Sequence, residues 1–257
     1  MPIFPVQVPV YLPNWIYPVA RRVGRAVLPK VKRRTPNLLG DRDVEYSFIA
    51  GNLPPGPGAA LDFGSGPAFL SLIAAQRGYR VTALDMQPTE IFWRHPAVTF
   101  VRGDLLKVEL PESYFDLVMN CSAVEHVGLA GSYRIVEKRD DGDLEAMDRM
   151  RALMKPGGVM LLTIPCGRDA VCAPHFRAYG ERRLPLLLQG FDAQEESYWM
   201  KDSEDRWVLC EKKRALRYEP YADPFQPLYN SYALGCFALR KPLSGTGARP
   251  DRTLTIS

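Results

Sequence analysis

The residues best placed to do chemistry begin with a glycine turn between two apolar segments. In residues 61–72, LDFGSGPAFLSL, a short buried strand is predicted to run into Gly64-Ser65-Gly66 and then into a helix. Glycines permit a tight turn and let a ligand approach the backbone, while the helix N-terminus faces that ligand. Many nucleotide-binding folds share such a turn, so the neighbouring residues must decide the ligand.

Three acidic residues and one missing glycine narrow the choice. Phe69 stands where the dinucleotide fingerprint G-x-G-x-x-G needs its third glycine, which disfavours a closely packed pyrophosphate. Asp62, just before the turn, opposes a diphosphate but suits a ligand with an ammonium group. Asp85 ends the next predicted strand, where a carboxylate can accept hydrogen bonds from both ribose hydroxyls. Asp104, after Gly103, is predicted to accept a hydrogen bond from an adenine amine.

The elements that position these groups alternate along the chain. Apolar runs predict five strands, at residues 59–63, 80–85, 98–102, 115–120 and 159–165. Helical periodicity predicts helices at residues 41–52, 68–77 and 144–154. This alternation predicts a Rossmann-like α/β fold with a doubly wound, mainly parallel seven-stranded sheet. Residues 192–199 and 230–239 have no full helix between them, so they are predicted to form an antiparallel C-terminal strand pair.

The ordered motifs resemble those of class I S-adenosylmethionine (SAM)-dependent methyltransferases over about residues 41–241, including LMKPGGVMLLTIP at 153–165. The resemblance implies SAM as the cofactor, held by residues at the ends of the first four strands: Asp62, Gly64, Ser65, Gly66, Asp85, Met86, Gly103, Asp104, Leu105, Asn120 and Cys121. A narrower resemblance, carried by NCSAVEHVGL, DGDLEAMDRMRALMKPGG and HFRAYGERRLPLLLQGF, is to a poorly characterised methyltransferase-like family of unknown function. It implies little about the substrate.

Two of the three histidines are candidate catalytic groups. Methyl transfer to a hydroxyl is helped by a base, and histidine is the commonest one. His126 follows the fourth predicted strand at the ligand-facing edge, and His175 follows the fifth. The residues near them that we predict to contact the substrate are Glu125, Tyr133, Arg177 and Tyr179.

Other roles for these residues remain open. His126 is also compatible with ordering its loop or packing on the cofactor, and His175 with a surface or packing role. In some quinone-pathway O-methyltransferases a similar Glu-His pair helps to hold a divalent metal together with a carboxylate three residues before the Glu. Ser122 occupies that position here, so we predict no metal site. The loop at residues 128–143 is predicted to act as a lid.

The function indicated is methyl transfer from SAM to a small-molecule, saccharide or lipid-linked acceptor, at oxygen. One alternative is a SAM-binding enzyme that methylates carbon or catalyses a non-methylating reaction. Another is a non-catalytic binding module that uses a basic arm on membrane or nucleic acid. Nucleic acid is not expected, since the basic residues cluster in that arm rather than across the domain.

Composition sets the remaining expectations. Residues 1–40 carry seven prolines, seven basic side chains and no acidic ones, although the whole chain has a net charge of only +4. We predict a Pro-rich basic extension at residues 1–40, a SAM-binding domain at 41–241 and a flexible tail at 242–257. Three roles are possible for the extension: packing on the domain, contact with an anionic membrane surface, or a lid over a phosphorylated substrate.

Five cysteines without C-x-x-C spacing, and no export signal, predict a cytoplasmic protein with peripheral membrane contact through the arm. The sequence leaves the oligomeric state open.

Overall fold

A parallel sheet flanked by helices forms the first half of the domain. The computed structural model describes residues 36–87, 90–131, 133, 135, 137–223 and 227–243. Central strands read as continuous apolar runs because helices cover both faces of such a sheet. The parallel strands are β1 (Gly58–Phe63), β2 (Tyr79–Asp85), β3 (Val98–Arg102), β4 (Phe115–Cys121) and β5 (Met154–Cys166). All five predicted strands are confirmed, with β5 beginning five residues earlier than expected.

The predicted helices are also confirmed, as α1 (Asp41–Asn52), α2 (Phe69–Gln76) and α3 (Gly142–Leu153). Two methionines of α3, Met147 and Met150, are buried in the core. Two further short helices, α4 (Arg183–Leu187) and α5 (Lys212–Ala215), follow β5.

The C-terminal strands close the sheet in the antiparallel sense. Strand β10 (Ala233–Arg240) lies antiparallel to both β5 and β8 (Asp192–Lys201), as predicted for this pair. The sheet has eight strands in the order β3-β2-β1-β4-β5-β10-β8-β9, one more than predicted. The added strand is β9 (Trp207–Cys210), a hairpin partner of β8 too short to show an alternating pattern. A separate hairpin pairs β6 (Ala170–Cys172) with β7 (Phe176–Ala178).

Only the last residues of the predicted extension, 36–40, are among the described residues. Residues 36–40 contact the domain, since the backbone N–H of Asn37 donates to the carbonyl of Asn230 at 3.2 Å. The prediction for the basic arm falls on residues 1–35, and that for the tail mostly on 244–257, which lie outside the described residues. No helix in the described part of the chain is long and apolar enough to cross a membrane.

Candidate active site

A cavity of about 460 Å³ opens at the carboxyl ends of the parallel strands. Ligands bind at this edge of open α/β sheets. Nine predicted site residues line the cavity: Gly64, Gly66, Asp85, Met86, Asp104, Leu105, Cys121, His126 and Tyr133. Eight others do not line it: Asp62, Ser65, Gly103, Asn120, Glu125, His175, Arg177 and Tyr179. The structure therefore brings most of the predicted cofactor residues together and places several predicted catalytic and substrate residues behind the wall.

The glycine turn forms the floor of the cavity. Gly64 has φ +70°, and a Cβ there would lie 2.3 Å from the Cβ of Ala123, so the turn and the β4 loop touch at this point. The backbone N–H groups of Gly64 and Ser65 both donate to the carbonyl of Leu84. These amides are therefore not available to cradle a phosphate, which agrees with the missing third glycine.

Asp85 is fixed at the cavity by two backbone amides. Its Oδ2 accepts the N–H of Gly66 at 2.8 Å, and its Oδ1 accepts the N–H of Gln87 at 2.7 Å. A carboxylate has about four lone-pair sites. Two of them are used, so the carboxylate is held in one orientation and still has acceptor capacity toward the cavity.

Two of the predicted cofactor residues are buried and serve the scaffold. Asp62 is 2% exposed and accepts the Ser71 hydroxyl at 2.6 Å, and its burial raises its pKa to about 6. The side-chain oxygen of Asn120 accepts the N–H groups of Ala123 and Val124, both at 3.3 Å. Asn120 thus caps the turn that leads to the histidine, and neither side chain reaches the cavity surface.

His126 presents one nitrogen for chemistry. Its Nδ1 lies 2.5 Å from the backbone carbonyl oxygen of His175, so Nδ1 must carry the proton. The other nitrogen, Nε2, is then the acceptor, and the ring lies 4.5 Å from that of Tyr133. Burial lowers the pKa of His126 to about 4, which keeps the imidazole neutral at pH 7. His175 does not line the cavity, and its backbone carbonyl contacts His126.

Glu125 lies behind His126 as a buried acid. It is 1% exposed, and its Oε1 is 3.7 Å from Nε2 of His126. Its Oε2 has no hydrogen-bond partner within the described residues. Burial raises the pKa of Glu125 to about 8, so the carboxyl group is mostly protonated at pH 7.

Arg177, predicted to contact the substrate, instead holds the backbone around the histidine. It is 1% exposed, and its guanidinium donates to the carbonyl oxygens of Glu125 and Val127, at 3.3 and 2.5 Å. It also donates to the carbonyls of Arg139 and Asp140, which belong to the predicted lid. Tyr179 is fully buried, and burial raises the pKa of its phenol well above the ordinary value.

Sequence reasoning missed two charged residues on α1. Arg42 lines the cavity, and its Nη1 donates to the fully buried carboxylate of Glu45 and lies 3.5 Å from Sγ of Cys121. The prediction for this helix rested on the spacing of its apolar residues alone. The buried stripe is in fact Asp41, Glu45 and Ile49. Two acids four residues apart, in register with the apolar Ile49, were the available signal.

No cluster of three metal-ligating side chains occurs among the described residues.

A family model described as "Caenorhabditis protein of unknown function, DUF268" matches residues 104–219, from just after β3 to just after α5. A search of curated protein sequences gave no match.

Solved structures align along most of the chain. The 1,6-didemethyltoxoflavin-N1-methyltransferase of Burkholderia thailandensis, with bound 1,6-didemethyltoxoflavin and S-adenosylhomocysteine, is 17% identical, with a TM-score of 0.51 and coverage of 93% of this chain and 94% of that one. The N-methyltransferase NodS of Bradyrhizobium japonicum WM9 is 17% identical, with a TM-score of 0.51 and coverage of 80% and 98%. The [4+2]-cyclase SpnF is 12% identical, with a TM-score of 0.51 and coverage of 90% and 96%. At these identities the likeness shows a shared fold.

Proposed function

We propose that this chain, which has the fold of the class I SAM-dependent methyltransferases, is itself a SAM-dependent methyltransferase. The observation that carries the proposal is Asp85. Its carboxylate ends β2 on the cavity wall and is held by two backbone amides, with acceptor capacity left for two ribose hydroxyls. The satisfied amides of the glycine turn support a ligand that brings no phosphate to it.

The described residues fit SAM at both ends of the cavity. Asp85 would accept the ribose hydroxyls, and Asp104 and Leu105 would border the adenine beyond them. Gly66, where a Cβ would have no atom within 4 Å, would let the ligand chain pass close to the backbone toward Cys121. Bound there, SAM would supply an electrophilic methyl group on a sulfonium.

We propose that His126 acts as the base toward a hydroxyl acceptor, with Nε2 taking the proton. Two features support this role: the His175 carbonyl fixes the tautomer, which leaves Nε2 as the acceptor, and His126 lines the cavity. The Tyr133 ring packed on His126 would help to exclude water from the acceptor. Oε1 of Glu125 lies 3.7 Å from Nε2; this carboxyl group is mostly protonated at pH 7, and its ionisation would stabilise the imidazolium that forms.

The class of acceptor is also a proposal. We propose a small-molecule, saccharide or lipid-linked acceptor, methylated at oxygen; two of the aligned structures are N-methyltransferases, so nitrogen is the competing atom. The alignment with a [4+2]-cyclase favours a second candidate, in which the same cavity serves a non-methylating reaction. A cytoplasmic location, and peripheral membrane contact through the arm, remain predictions.

The test combines methyl-labelled SAM with the purified protein and a cell extract separated into small polar, glycan, lipid, protein and nucleic-acid fractions. Label in one fraction would identify both the activity and the acceptor class. Asp85→Ala is expected to weaken SAM binding by about 10-fold or more, since a hydrogen bond to a charged group contributes about 1.5–3 kcal/mol. Asp192→Ala, which alters an exposed acid at the start of β8, is the matched control and should label normally. SAM binding without label in any fraction would favour the non-methylating candidate.

A further inference from the structure

One cationic side chain that lines the cavity, Arg42, is held in position by a buried acidic residue. Arg42 reaches the cavity from the first turn of α1, with 48% of its side chain exposed. Its Nη1 lies 3.5 Å from Sγ of Cys121, the last residue of β4. Strand β1 separates β4 from β2 in the sheet. Arg42 is therefore on the opposite side of the glycine turn from the acids Asp85 and Asp104.

Glu45 is the buried partner of that cation. Its side chain is 0% exposed. Its Oε1 accepts the hydroxyls of Ser122 and Thr163, the latter at 2.8 Å, while its Oε2 accepts Nη1 of Arg42. Burying a carboxylate is costly unless it is paired and hydrogen-bonded, and such pairs contribute little net stability. This arrangement is better explained by the defined position it gives to the guanidinium than by stability.

The guanidinium keeps donors for a ligand. It has five N–H donors in a planar fork, which suits carboxylates in a bidentate geometry. All of its hydrogen bonds to described residues run through Nη1, which leaves Nε and Nη2 without a described partner. The other cations on the cavity differ, because Lys107 and Arg139 are paired with the exposed acid Glu137.

We propose that Arg42 binds the carboxylate of a molecule held in the cavity. The inference rests on the proposed function, and it adds a recognition group that the sequence analysis did not contain. Two molecules could bring the carboxylate: the amino-acid part of the cofactor, passing the glycine turn toward Cys121, or an acidic acceptor. The chemistry at Arg42 is the same for both, so the experiment must separate them.

The first arm compares S-adenosylhomocysteine with its decarboxylated analogue by isothermal titration calorimetry. If the cofactor supplies the carboxylate, the wild type will bind S-adenosylhomocysteine about 10- to 100-fold more tightly than the analogue. Arg42→Met will then bind both equally. Because Arg42→Met leaves Glu45 unpaired, the double variant Arg42→Met/Glu45→Gln serves as the second test and should behave in the same way. Lys107→Met is the matched control, and it should keep the wild-type ratio.

The second arm applies if the wild type binds the two nucleosides equally. Trifluoroacetate is then the probe, followed by fluorine NMR on protein saturated with S-adenosylhomocysteine. Line broadening that is lost in Arg42→Met and kept in Lys107→Met would assign the carboxylate to the acceptor. Absence of an Arg42-dependent effect in both arms would overturn the inference. Failure of the wild type to bind S-adenosylhomocysteine would instead count against the proposed function, and trifluoroacetate would still test Arg42 on the free protein.

Discussion

The buried acid behind His126 gives the sharpest test of the electrostatics. Burial raises the pKa of Glu125 from the ordinary 4.5 to about 8. Between these values the folded protein holds a proton that the unfolded chain has lost, so the free energy of unfolding must fall as pH rises. With respect to Glu125, the folded protein is therefore most stable below pH 4.5. This contribution to the free energy of unfolding is lost as the pH rises, and the loss is complete above about pH 8. Glu125→Gln keeps the shape of the side chain and removes this titration.

The size of the effect follows from linkage. At about 1.4 kcal/mol per factor of ten in the ionisation equilibrium, Glu125 destabilises the fold by about 1 kcal/mol at pH 5 and about 4 kcal/mol at pH 8. The difference in unfolding free energy between Glu125→Gln and the wild type should therefore rise by about 3 kcal/mol from pH 5 to pH 8.

Urea denaturation followed by circular dichroism at pH 5, 6.5 and 8 measures this difference. Asp41 and Asp62, whose pKa values are also raised to about 6 by burial, titrate in both proteins and cancel in the comparison. A difference that stays constant with pH would refute the reasoning, because Glu125 would then ionise as it does in the unfolded chain.

Two further predictions concern backbone positions around the cavity. Gly64→Ala should lower the free energy of unfolding by about 2 kcal/mol or more, because the new Cβ meets Ala123 and φ is positive. In the same urea assay the control Gly51→Ala, with nothing within 4 Å, should stabilise α1 by about 0.5–1 kcal/mol, and equal effects would contradict the proposed contact. Arg177→Met should destabilise the fold by about 3 kcal/mol or more through its unpaired carbonyls, and hydrogen exchange should speed up at residues 137–141. Unchanged exchange there would mean that the Arg177 guanidinium does not hold the backbone of residues 137–141.

The fold could be predicted because its signals are local. Apolar runs and their spacing identified the five parallel strands, three helices and the antiparallel pair β8 and β10. Strand β9 was missed because four residues do not establish a period. Its place is set by pairing with β8, with Tyr198 opposite Cys210, which is a tertiary property.

The site was only partly predictable because residue type does not reveal which way a side chain faces. Asp85 ends β2 and His126 lies in the turn that follows β4, and the ends of parallel strands meet at one edge, so sequence reasoning could predict that both lie at the cavity. Arg177 and His175 depend on how β7 packs against the turn at Val124–His126, which no local pattern encodes. Conversely, Arg42 lies far from the motifs in sequence and reaches the cavity only because α1 packs against β4 and β5.

Different groups hold the functional side chains on the two sides of the cavity: backbone amides on the β2 side and buried acidic residues on the β4 side. On the β2 side, backbone N–H groups hold Asp85 at the surface, so its charge is available to a neutral donor such as a hydroxyl. On the β4 side, buried acids lie beneath the surface groups: Glu45 beneath Arg42, and Glu125 beneath His126. A buried acid opposes folding when it is charged, so placing two of them below one wall costs stability. Glu45 fixes the Arg42 cation, while burial and the His175 carbonyl keep His126 as a neutral imidazole. One cavity therefore holds both groups, which suits an acceptor or cofactor that brings negative charge to Arg42 and a transferable proton to His126.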